Sequence, residues 1–350
     1  MPTIAYDARS LQPQTRHWGP SVMVDNILTR LSVEYRFIGL AHRFAKSPDL
    51  DITSWPLIPK AGKALFELSP LFVSSFDVYW GTNDLLPVAL RGPSVLTVHD
   101  LLLWNRMDNE RDGTFSFWRL RSSLRRARLI VTDSKTTADD LIDVFPHIST
   151  KVRVALLGFD TPPQEQACAV QRNGRDGSDC YVVMLGAHRP RKNLQLVLSA
   201  VQHLREAGVR VRLCITGDVH PTFQQALHEH RSFTERTGVL PKAAIFGLLQ
   251  RAVALVFPSR YEGFGFPLLE AMAARCPVLA LDTPINREVA GDAAWLLSED
   301  PFQWSTAIQT LIQNPSMHEE WVLKGIENVK RFSWERTAEA YSEVFQDALR

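Results

Sequence analysis

Two glutamates flank one short loop of the sequence. Residues 258–270 read "PSRYEGFGFPLLE", in which Glu262 and Glu270 stand on either side of glycine, phenylalanine and proline residues. The loop follows the apolar run "VALVF", which predicts a strand, and Pro267 suits the first turn of a helix that "LLEAMAA" continues. The two acids therefore mark a junction between a strand and a helix, where parallel α/β proteins bind their ligands.

The residues between the two acids suit an anionic ligand. Gly263 and Gly265 permit backbone conformations that a Cβ would block, so a ligand can come close to the chain. Backbone N–H groups at a helix N-terminus bind phosphate groups. An acid one turn into the helix, such as Glu270, can accept hydrogen bonds from a ribose. The loop thus predicts a site for a nucleotide that carries a phosphate or a diphosphate.

Other interpretations of the two acids remain open at this point. Glu270 can simply be an acid that the helix dipole stabilises by about 0.3–1 kcal/mol, and Glu262 a solvated loop residue. The pair also has the residue types of a glycosidase acid and nucleophile, which lie about 5–5.5 Å apart in retaining enzymes.

A basic segment, "VVMLGAHRPRKNL" (182–194), predicts a strand, a turn and the start of a helix. Lys192 lies beyond Gly186, in a stretch that also contains Arg189 and Arg191. Cations directly after a strand suit a diphosphate leaving group, whose negative charge grows as its bond to a sugar breaks. The alternative is a basic helix start on the surface, which the helix dipole disfavours.

A histidine ends another apolar run. His99 and Asp100 follow "SVLTV" (94–98), which predicts a strand. A single histidine is either structural or, at the carboxyl end of a parallel strand, part of a ligand site. In the second case Asp100 can orient its ring.

Short apolar runs alternate with helix-like segments along the chain, which indicates βαβ units and parallel sheets. The runs that predict strands are 3–6, 35–40, 76–80, 94–98, 128–132, 181–185, 211–216, 253–257, 277–281 and 293–297. A polar segment at 160–179 divides them into two series. The predicted fold class is α/β, with two Rossmann-like doubly wound domains, 1–165 and 180–335, that face each other across a cleft and are joined by a linker at 166–179.

Composition excludes several classes of protein. With 45% hydrophobic and 22% charged residues, the 350-residue chain suits about two folded domains. A formal net charge of +1 gives no reason to expect nucleic-acid binding. The four cysteines lack C-x-x-C spacing, the N-terminal residues do not resemble a signal peptide, and no apolar segment is long enough to cross a bilayer. We expect a cytoplasmic protein, with peripheral contact with the inner face of the plasma membrane as a further hypothesis.

The loop with the two acids resembles a known family signature. Residues 262–273 read E-G-F-G-x-P-x-x-E-A-M-A, which is similar to the E-x7-E motif of the retaining glycosyltransferases of family 4, proteins with the GT-B fold. The resemblance implies that Glu262 contacts the transferred sugar and that Glu270 holds the ribose of the nucleotide. It also implies that backbone amides between them face the sugar and the diphosphate, at Gly263, Phe264, Gly265 and Phe266.

The same resemblance assigns roles to other residues. The segment around Lys192 is similar to the family's G-x4-R-K-N, which implies that Lys192 binds the donor diphosphate. Many members have an arginine five residues before this lysine, where this chain has Ala187, so Arg191 or Arg189 must supply the charge. His99 inherits a hydrogen bond to the donor sugar.

Three further segments follow the family with departures. The loop after the first strand matches the family's glycine-rich loop only at Gly19, and "GDV" (217–219) matches a loop near the nucleotide base. Arg275 replaces the usual glycine after the helix that starts near Pro267, so we expect that helix to end differently. The segment 332–349 is similar to the family's last helix, which implies that residues 336–350 cross back to the first domain.

The implied chemistry is hexose transfer from a nucleotide diphosphate-sugar with retention of configuration. No Asp-x-Asp metal site is evident, so we expect that the protein uses no cofactor and requires no divalent metal. The donor's own phosphate oxygen would take the acceptor's proton. The chain most resembles bacterial mannosyl- and rhamnosyltransferases of surface polysaccharide assembly, such as that of lipopolysaccharide. This favours GDP-mannose as donor, a UDP-hexose as second choice, and a glycan or lipid-diphosphate-linked acceptor.

The segment "FSFWRLRSSLRRARLIV" (115–131) combines arginines with aromatic residues and contains no acid. Such a segment can rest on anionic headgroups, each cation near the surface contributing about 1 kcal/mol. The alternative is a solvated basic helix face.

Two other classes of protein compete with a transferase. A catalytically silent nucleotide-sugar-binding protein would have the same scaffold, and the departures at Ala187 and Arg275 leave room for it. A nicotinamide-dependent oxidoreductase would need G-x-G-x-x-G after the first strand of a domain, and neither "YDARSLQ" nor "LGAHRPRK" contains it.

Overall fold

The structure of the chain is a computed structural model that describes residues 1–11, 19–41, 52–54, 75–102, 113–161 and 179–350. The chain divides into two compact units. The described residues of unit 1 lie within Met1–Arg106, Glu110–Gly158 and Phe332–Arg350, and those of unit 2 lie within Phe159–Arg331. Except for its last residue, the linker expected at 166–179 lies outside the described residues.

Unit 1 contains a sheet whose neighbouring strands are all parallel. The strands are β1 (Thr3–Asp7), β2 (Arg36–Ala41), β3 (Ile52–Ser54), β4 (Val78–Gly81), β5 (Ser94–Val98), β6 (Leu129–Thr132) and β7 (Val152–Val154). Their order in the sheet is β3-β2-β1-β4-β5-β6-β7. Helices precede or follow them at α1 (Gly19–Leu31), α2 (Gly113–Arg126) and α3 (Lys135–Val144).

Unit 2 contains a second parallel sheet. Its strands are β8 (Cys180–Ala187), β9 (Val211–Val219), β10 (Thr234–Gly238), β11 (Leu255–Phe257), β12 (Val278–Leu281) and β13 (Trp295–Leu297), in the order β10-β9-β8-β11-β12-β13. Its helices are α4 (Leu194–Glu206), α5 (Gln224–Glu229), α6 (Lys242–Arg251), α7 (Phe266–Ala273), α8 (Pro284–Ala290), α9 (Pro301–Gln313) and α10 (Pro315–Val329).

Each sheet reverses its direction of growth once. In unit 1 the chain builds outward from β1 to β3 and then continues on the other side of β1 with β4. In unit 2 it builds from β8 to β10 and then continues beside β8 with β11. The loops after β8 and β11 therefore diverge from neighbouring strands and leave a crevice at their carboxyl ends, the usual ligand position in such sheets.

The sheets are covered by helices with one apolar face. In α4, five of the seven buried residues follow a spacing of three or four positions, at Leu194, Val197, Leu198, Val201 and Leu204, and Leu196 and Ala200 widen the buried face. This spacing puts them on one side of the helix, against the strands. The central strands β4, β5, β6 and β12 are buried throughout, as parallel strands covered on both faces must be.

The last helix, α11 (Trp334–Leu349), belongs to unit 1. Ser333 caps its N-terminus, where the Ser333 side chain accepts a hydrogen bond from the backbone N–H of Arg336. Tyr341 and Phe345 lie on its buried face, with ring centroids 5.3 and 5.5 Å from that of Trp80 in β4. These aromatic contacts pack the C-terminal helix against the sheet of unit 1.

The predicted α/β fold class with parallel sheets is confirmed, and each of the ten apolar runs overlaps a strand. The sequence patterns missed β3, β7 and β10, which are three of the four edge strands of the two sheets; the fourth, β13, was predicted. β7 and β10 are largely exposed, with the sequences "VRV" and "TERTG". An edge strand does not need the apolar run that marks a central strand.

The expectation that Arg275 changes the end of helix α7 is wrong. Arg275 adopts the left-handed conformation at φ 60° that glycine usually takes there. Its N–H bonds to the carbonyl of Met272, and the N–H of Cys276 bonds to that of Ala271, which is the usual pattern of a Schellman end. The guanidinium pairs with Glu319 at 3.0 Å, an exposed contact that partly offsets the backbone strain.

Two further properties concern the chain as a whole. Among the residues that the structure describes, no helix is both long and apolar enough to cross a membrane. Cys180, Cys214 and Cys276 are buried and form no disulfide, and Cys168 lies outside the described residues.

Candidate functional site

Two loops of unit 2 meet at the carboxyl ends of β8 and β11. The backbone N–H of Arg260 donates to the carbonyl of Arg191 at 3.0 Å. In the opposite direction, Nε of Arg191 donates to the carbonyl of Tyr261 at 3.1 Å. These bonds join the loop with the basic segment to the loop with the two acids. Residues that stand some 70 positions apart in the chain thus share one site.

The centre of this site is an ion pair between Lys192 and Glu262. The Lys192 ammonium donates to Oε1 of Glu262 at 2.7 Å, and a guanidinium nitrogen of Arg191 lies 3.8 Å from Oε2. All three side chains are largely buried, with exposures of 8%, 13% and 9%. The Lys192 nitrogen also lies 5.3 Å from the centroid of the Phe257 ring at the end of β11. Two cations therefore face one carboxylate at the mouth of the crevice.

The two cations keep Glu262 ionised. Burial by itself opposes ionisation of this carboxyl, but the nearby charges of Lys192 and Arg191 outweigh burial and lower its pKa below the usual value. Glu262 is thus a carboxylate at neutral pH and accepts hydrogen bonds from hydroxyl groups rather than donating a proton.

A residue in an unusual backbone conformation positions Lys192. Pro190–Lys192 form one turn of 3-10 helix, and Asn193 then takes the left-handed conformation at φ 52° before α4 begins. Asparagine tolerates this conformation better than most residues, which explains its place after the two cations. His188, at the start of the same loop, is partly exposed. Burial and the charges of Lys192 and Arg191 lower its pKa, so it is a neutral neighbour of the site.

The loop between the two acids leads into helix α7. Gly265 precedes the helix at φ 108°, a conformation that a side chain would strain. The Phe264 ring is buried and lies edge-to-face with that of Phe266, at 5.2 Å between centroids. Phe264 turns its side chain into the protein, so only its backbone can face a ligand.

Glu270 lies one turn inside α7 and borders a cavity of unit 2. The cavity has a volume of about 170 Å³ and is lined mainly by apolar side chains, among them Phe246 and Leu249 of α6. No described residue donates a hydrogen bond to the Glu270 carboxylate. Burial raises its pKa above the usual value, while Lys242 at the start of α6 partly opposes that rise. Glu270 thus has acceptor capacity left for a ligand and, unlike Glu262, forms no ion pair with a described residue.

The structure places His99 in unit 1, at the end of β5. Its Nδ1 lies 2.6 Å from Oδ2 of Asp133, and its Nε2 lies 2.8 Å from the carbonyl oxygen of Thr82. Asp100 does not orient the ring; its carboxylate accepts from the backbone N–H of Leu102. Asp133 follows β6 directly, so an acid after a buried strand was the signal that sequence reasoning missed.

For the other predicted site residues, the structure gives less information about a role in ligand binding. Gly19 is the first residue of α1, and residues 12–18 before it lie outside the described part of the chain. Residues 217–219 continue strand β9 rather than forming a loop. Of the two arginines considered as substitutes at Ala187, Arg191 lies beside Lys192 and Glu262, whereas Arg189 occupies the turn before the 3-10 helix.

Comparisons with known proteins agree with this architecture. A family model described as glycosyl transferases group 1 matches residues 167–328, and one described as glycosyltransferase family 4 matches residues 23–162. The chain is 28% identical over 280 residues to O-antigen chain mannosyltransferase B of Escherichia coli, covering 74% of this chain and 71% of that protein. It is 25% identical to O-antigen chain mannosyltransferase RfbU of Salmonella typhimurium, covering 67% of this chain and 64% of that protein.

Solved structures share the fold at low sequence identity. Anabaena Alr3699/HepE in complex with UDP-glucose matches with a TM-score of 0.77 and 15% identity, covering 99% of both chains. Sucrose-phosphate synthase from Thermosynechococcus elongatus matches with a TM-score of 0.78 and 15% identity, again covering 99% of both chains. With two parallel α/β sheets, the chain has the GT-B fold. It belongs to the glycosyltransferases of family 4.

Proposed function

We propose that the chain is a retaining glycosyltransferase that moves a hexose from a nucleotide diphosphate-sugar to a glycan or lipid-linked acceptor in bacterial surface polysaccharide assembly. The observation that carries this proposal is the buried cluster of Lys192, Arg191 and Glu262 at the carboxyl ends of β8 and β11. Such a cluster combines the charge that a diphosphate needs with a carboxylate for sugar hydroxyls.

In this proposal each charged group has a defined task. Lys192 and Arg191 neutralise the diphosphate as the bond from its oxygen to the anomeric carbon breaks. The Lys192 ammonium then exchanges part of its contact with Glu262 for a phosphate oxygen. Glu262, as a carboxylate, accepts hydrogen bonds from the transferred sugar, and Glu270 accepts those of the ribose.

The proton of the acceptor needs a destination. An acceptor oxygen forms its bond to the anomeric carbon on the face from which the diphosphate leaves. The hydroxyl proton passes to the departing phosphate oxygen. Because Glu262 is held ionised between two cations, its basicity is low, which supports the donor phosphate rather than Glu262 as the base.

The sugar is proposed from the relatives. Both O-antigen enzymes named above are mannosyltransferases, which supports mannose, with GDP-mannose as the donor. The Anabaena neighbour was solved with UDP-glucose, so a UDP-hexose is the second choice. We expect release of GDP from GDP-mannose in the presence of a mannose-terminated acceptor, and an α-linked product by NMR.

A panel of GDP- and UDP-sugars with mannose-terminated oligosaccharides and lipid-linked acceptors tests this proposal. Nucleotide diphosphate release above the rate of the Lys192→Gln variant supports a transferase. Donor binding by calorimetry without release by any acceptor would favour the catalytically silent binding protein. A β-linked product would contradict retention.

Metal independence is a separate part of the proposal. Cationic side chains supply the charge that a divalent ion supplies in other transferases, and no group of three metal-ligating side chains occurs among the described residues. We expect transfer to persist after treatment with EDTA. Loss of transfer that Mg²⁺ or Mn²⁺ restores would contradict this part alone.

Peripheral membrane contact is proposed from helix α2. Trp118 is 60% exposed, and the Arg121 guanidinium lies 5.3 Å from its ring centroid. Arg125 is exposed on the same helix. Phe117 instead stacks on Phe145 inside unit 1, so the aromatic residues of this segment do not all face outward. An exposed tryptophan beside arginines supports contact with anionic headgroups.

Flotation with liposomes that contain phosphatidylglycerol tests the membrane contact. We expect the wild type to float and the Arg121→Glu/Arg125→Glu variant to remain in the dense fraction. A matched double charge reversal in unit 2, Lys324→Glu/Lys330→Glu, should float like the wild type. If the two double variants float to the same extent, Arg121 and Arg125 belong to a solvated basic face and do not contact the membrane.

A further inference from the structure

The imidazole of His99 is held between two acceptors. Asp133 approaches Nδ1 through Oδ2 at 2.6 Å, and the carbonyl of Thr82 approaches Nε2 at 2.8 Å. His99 and Asp133 are buried, with exposures of 8% and 3%. The two contacts together, which we call the His99 clamp, fix the plane of the ring.

The clamp also determines where the protons are. A carbonyl oxygen only accepts hydrogen bonds, so Nε2 must carry a proton. A carboxylate is likewise an acceptor, so with Asp133 ionised Nδ1 carries the second proton and His99 is an imidazolium. No described group donates to the other oxygen of Asp133, Oδ1. This buried carboxylate therefore depends on His99 for compensation of its charge.

The other charged groups near the clamp favour the same state. Asp84, in the loop after β4, accepts the backbone N–H of His99 at 3.1 Å. Asp84 adds negative charge near the ring, and the charge of Asp100 acts on Asp84. Tyr341 of α11 is near Asp133, and burial with that charge raises the pKa of its hydroxyl, so Tyr341 adds none. Burial by itself lowers the pKa of His99, but Asp133 and Asp84 reverse that effect and raise it.

We propose that Asp133 is a positioning residue that keeps His99 as a fixed cation, so that His99 acts in sugar transfer as a hydrogen-bond donor and positive charge and never as the base. The inference rests on the proposed function. Neither ring nitrogen has a lone pair to take the acceptor's proton. The Nε2–H group donates to the Thr82 carbonyl in this structure. When the donor sugar binds, this N–H donates to a sugar hydroxyl instead. The acceptor's proton goes to the leaving diphosphate.

The charge state can be measured without any activity. The protein is labelled with ¹⁵N-histidine, and the His99 signals are assigned as those missing from the His99→Gln variant. Both ring nitrogens of His99 should stay protonated from pH 6 to pH 8.5. In Asp133→Asn, an amide N–H can still face Nδ1 while Nε2–H still faces Thr82, so the ring keeps its place and loses its charge. His99 should then titrate near or below the ordinary value of 6.5. A neutral wild-type His99 at pH 7 overturns the proposal.

Kinetics test whether this charge matters for transfer. At pH 8 we expect kcat of Asp133→Asn to fall about tenfold or more, the loss of one charge-assisted hydrogen bond, with KM for the donor changing less. At pH 5.5, where the variant's His99 gains a proton, much of the loss should be recovered. Asp143→Asn, the same change at an exposed site of α3, should behave like the wild type. A pH-independent loss, equal at both pH values, would show a structural role and overturn the proposal.

A double variant separates the two residues. If Asp133 acts through His99, Asp133→Asn adds no further loss in a His99→Gln background. Independent, additive losses would contradict the proposal. If the wild type transfers no sugar at all, the proposed function fails, whereas the NMR result on the His99 clamp still stands or falls by itself.

Discussion

The two parallel sheets of this protein differ in charge between the strand ends of unit 1 and the ends of β8 and β11 in unit 2. In unit 1, acids at the carboxyl ends of β1, β4, β5 and β6 outnumber the cations that pair with them among the described residues. The acids are Asp7, Asp84, Asp100 and Asp133, and the cations Arg9 and His99 pair with Asp7 and Asp133. In unit 2, the loops after β8 and β11 place Arg191 and Lys192 against one glutamate. A shared fold thus supplies the crevice, and local charge decides which crevice suits a diphosphate.

The difference arises from short stretches of sequence. In unit 2, two consecutive cations in one 3-10 turn, followed by Asn193, direct both charges into the same crevice. In unit 1, Arg9 folds back onto Asp7 two residues earlier, and His99 is satisfied by the clamp. The charges of Arg9 and His99 are balanced by acids of unit 1 and stabilise its fold. At the ends of β8 and β11, the cations exceed the acids, and this excess positive charge can attract an anionic ligand.

The largest expected effect is that of Lys192→Gln. Removing the ammonium takes away charge stabilisation of the leaving diphosphate, and we expect kcat/KM to fall about 100-fold to 1,000-fold. Initial rates of nucleotide diphosphate release measure the effect. Lys330→Gln, which changes an exposed lysine of unit 2, is the control. A fall below threefold for Lys192→Gln would mean that the excess charge of unit 2 is not used for the leaving group.

Pyrophosphate tests the charge difference without a sugar. At about 100 times its dissociation constant, a ligand that binds only the folded protein stabilises it by about 2.7 kcal/mol. We expect such protection, measured by thermal unfolding, in the wild type and in His99→Gln, and little in Lys192→Gln. Equal protection of Lys192→Gln, or its loss in His99→Gln, would place the anion outside the crevice of unit 2.

Glu270→Gln should affect binding more than chemistry. The neutral amide keeps the shape of the side chain but weakens hydrogen bonds from a ribose, so we expect KM for the donor to rise about tenfold while kcat changes little. Steady-state kinetics against donor concentration measure both constants. Glu229→Gln, an exposed change in α5, should leave both unaltered. A loss confined to kcat would move Glu270 from the ribose to the reacting centre.

The two regions also differ in how far the sequence alone predicted them. The sequence placed Lys192 and Glu262 after predicted strands, and the strand order, which only the structure shows, makes the loops of β8 and β11 neighbours. The partner of His99 could not be predicted in that way. Asp100 was the nearest acid in sequence, but Asp133 from the next strand reaches the ring. Arg275 shows a third situation, in which a residue without glycine's conformational freedom still forms the two backbone hydrogen bonds of a Schellman end.

The smallest expected effect concerns the surplus of acid in unit 1. Burial raises the pKa of Asp84 to about 6, above the ordinary 3.8, so the folded state binds a proton more tightly than the unfolded state. By linkage, stability falls as the pH rises from about 4 to about 6, and this loss is complete above that range. Asp84→Asn removes the buried charge, keeps an acceptor for the N–H of His99, and suits the left-handed φ of 57° at this position.

We therefore expect Asp84→Asn to stabilise unit 1 by about 1 kcal/mol at pH 8 and to have no effect near pH 4, a modest value because Asp84 is only half-buried. Urea unfolding at both pH values, with Asp143→Asn as control, measures the difference. Destabilisation at pH 8 would mean that the Asp84 carboxylate supports the His99 cation more than its own burial costs. The acids of unit 1 would then be a counter-charge for His99 rather than a surplus.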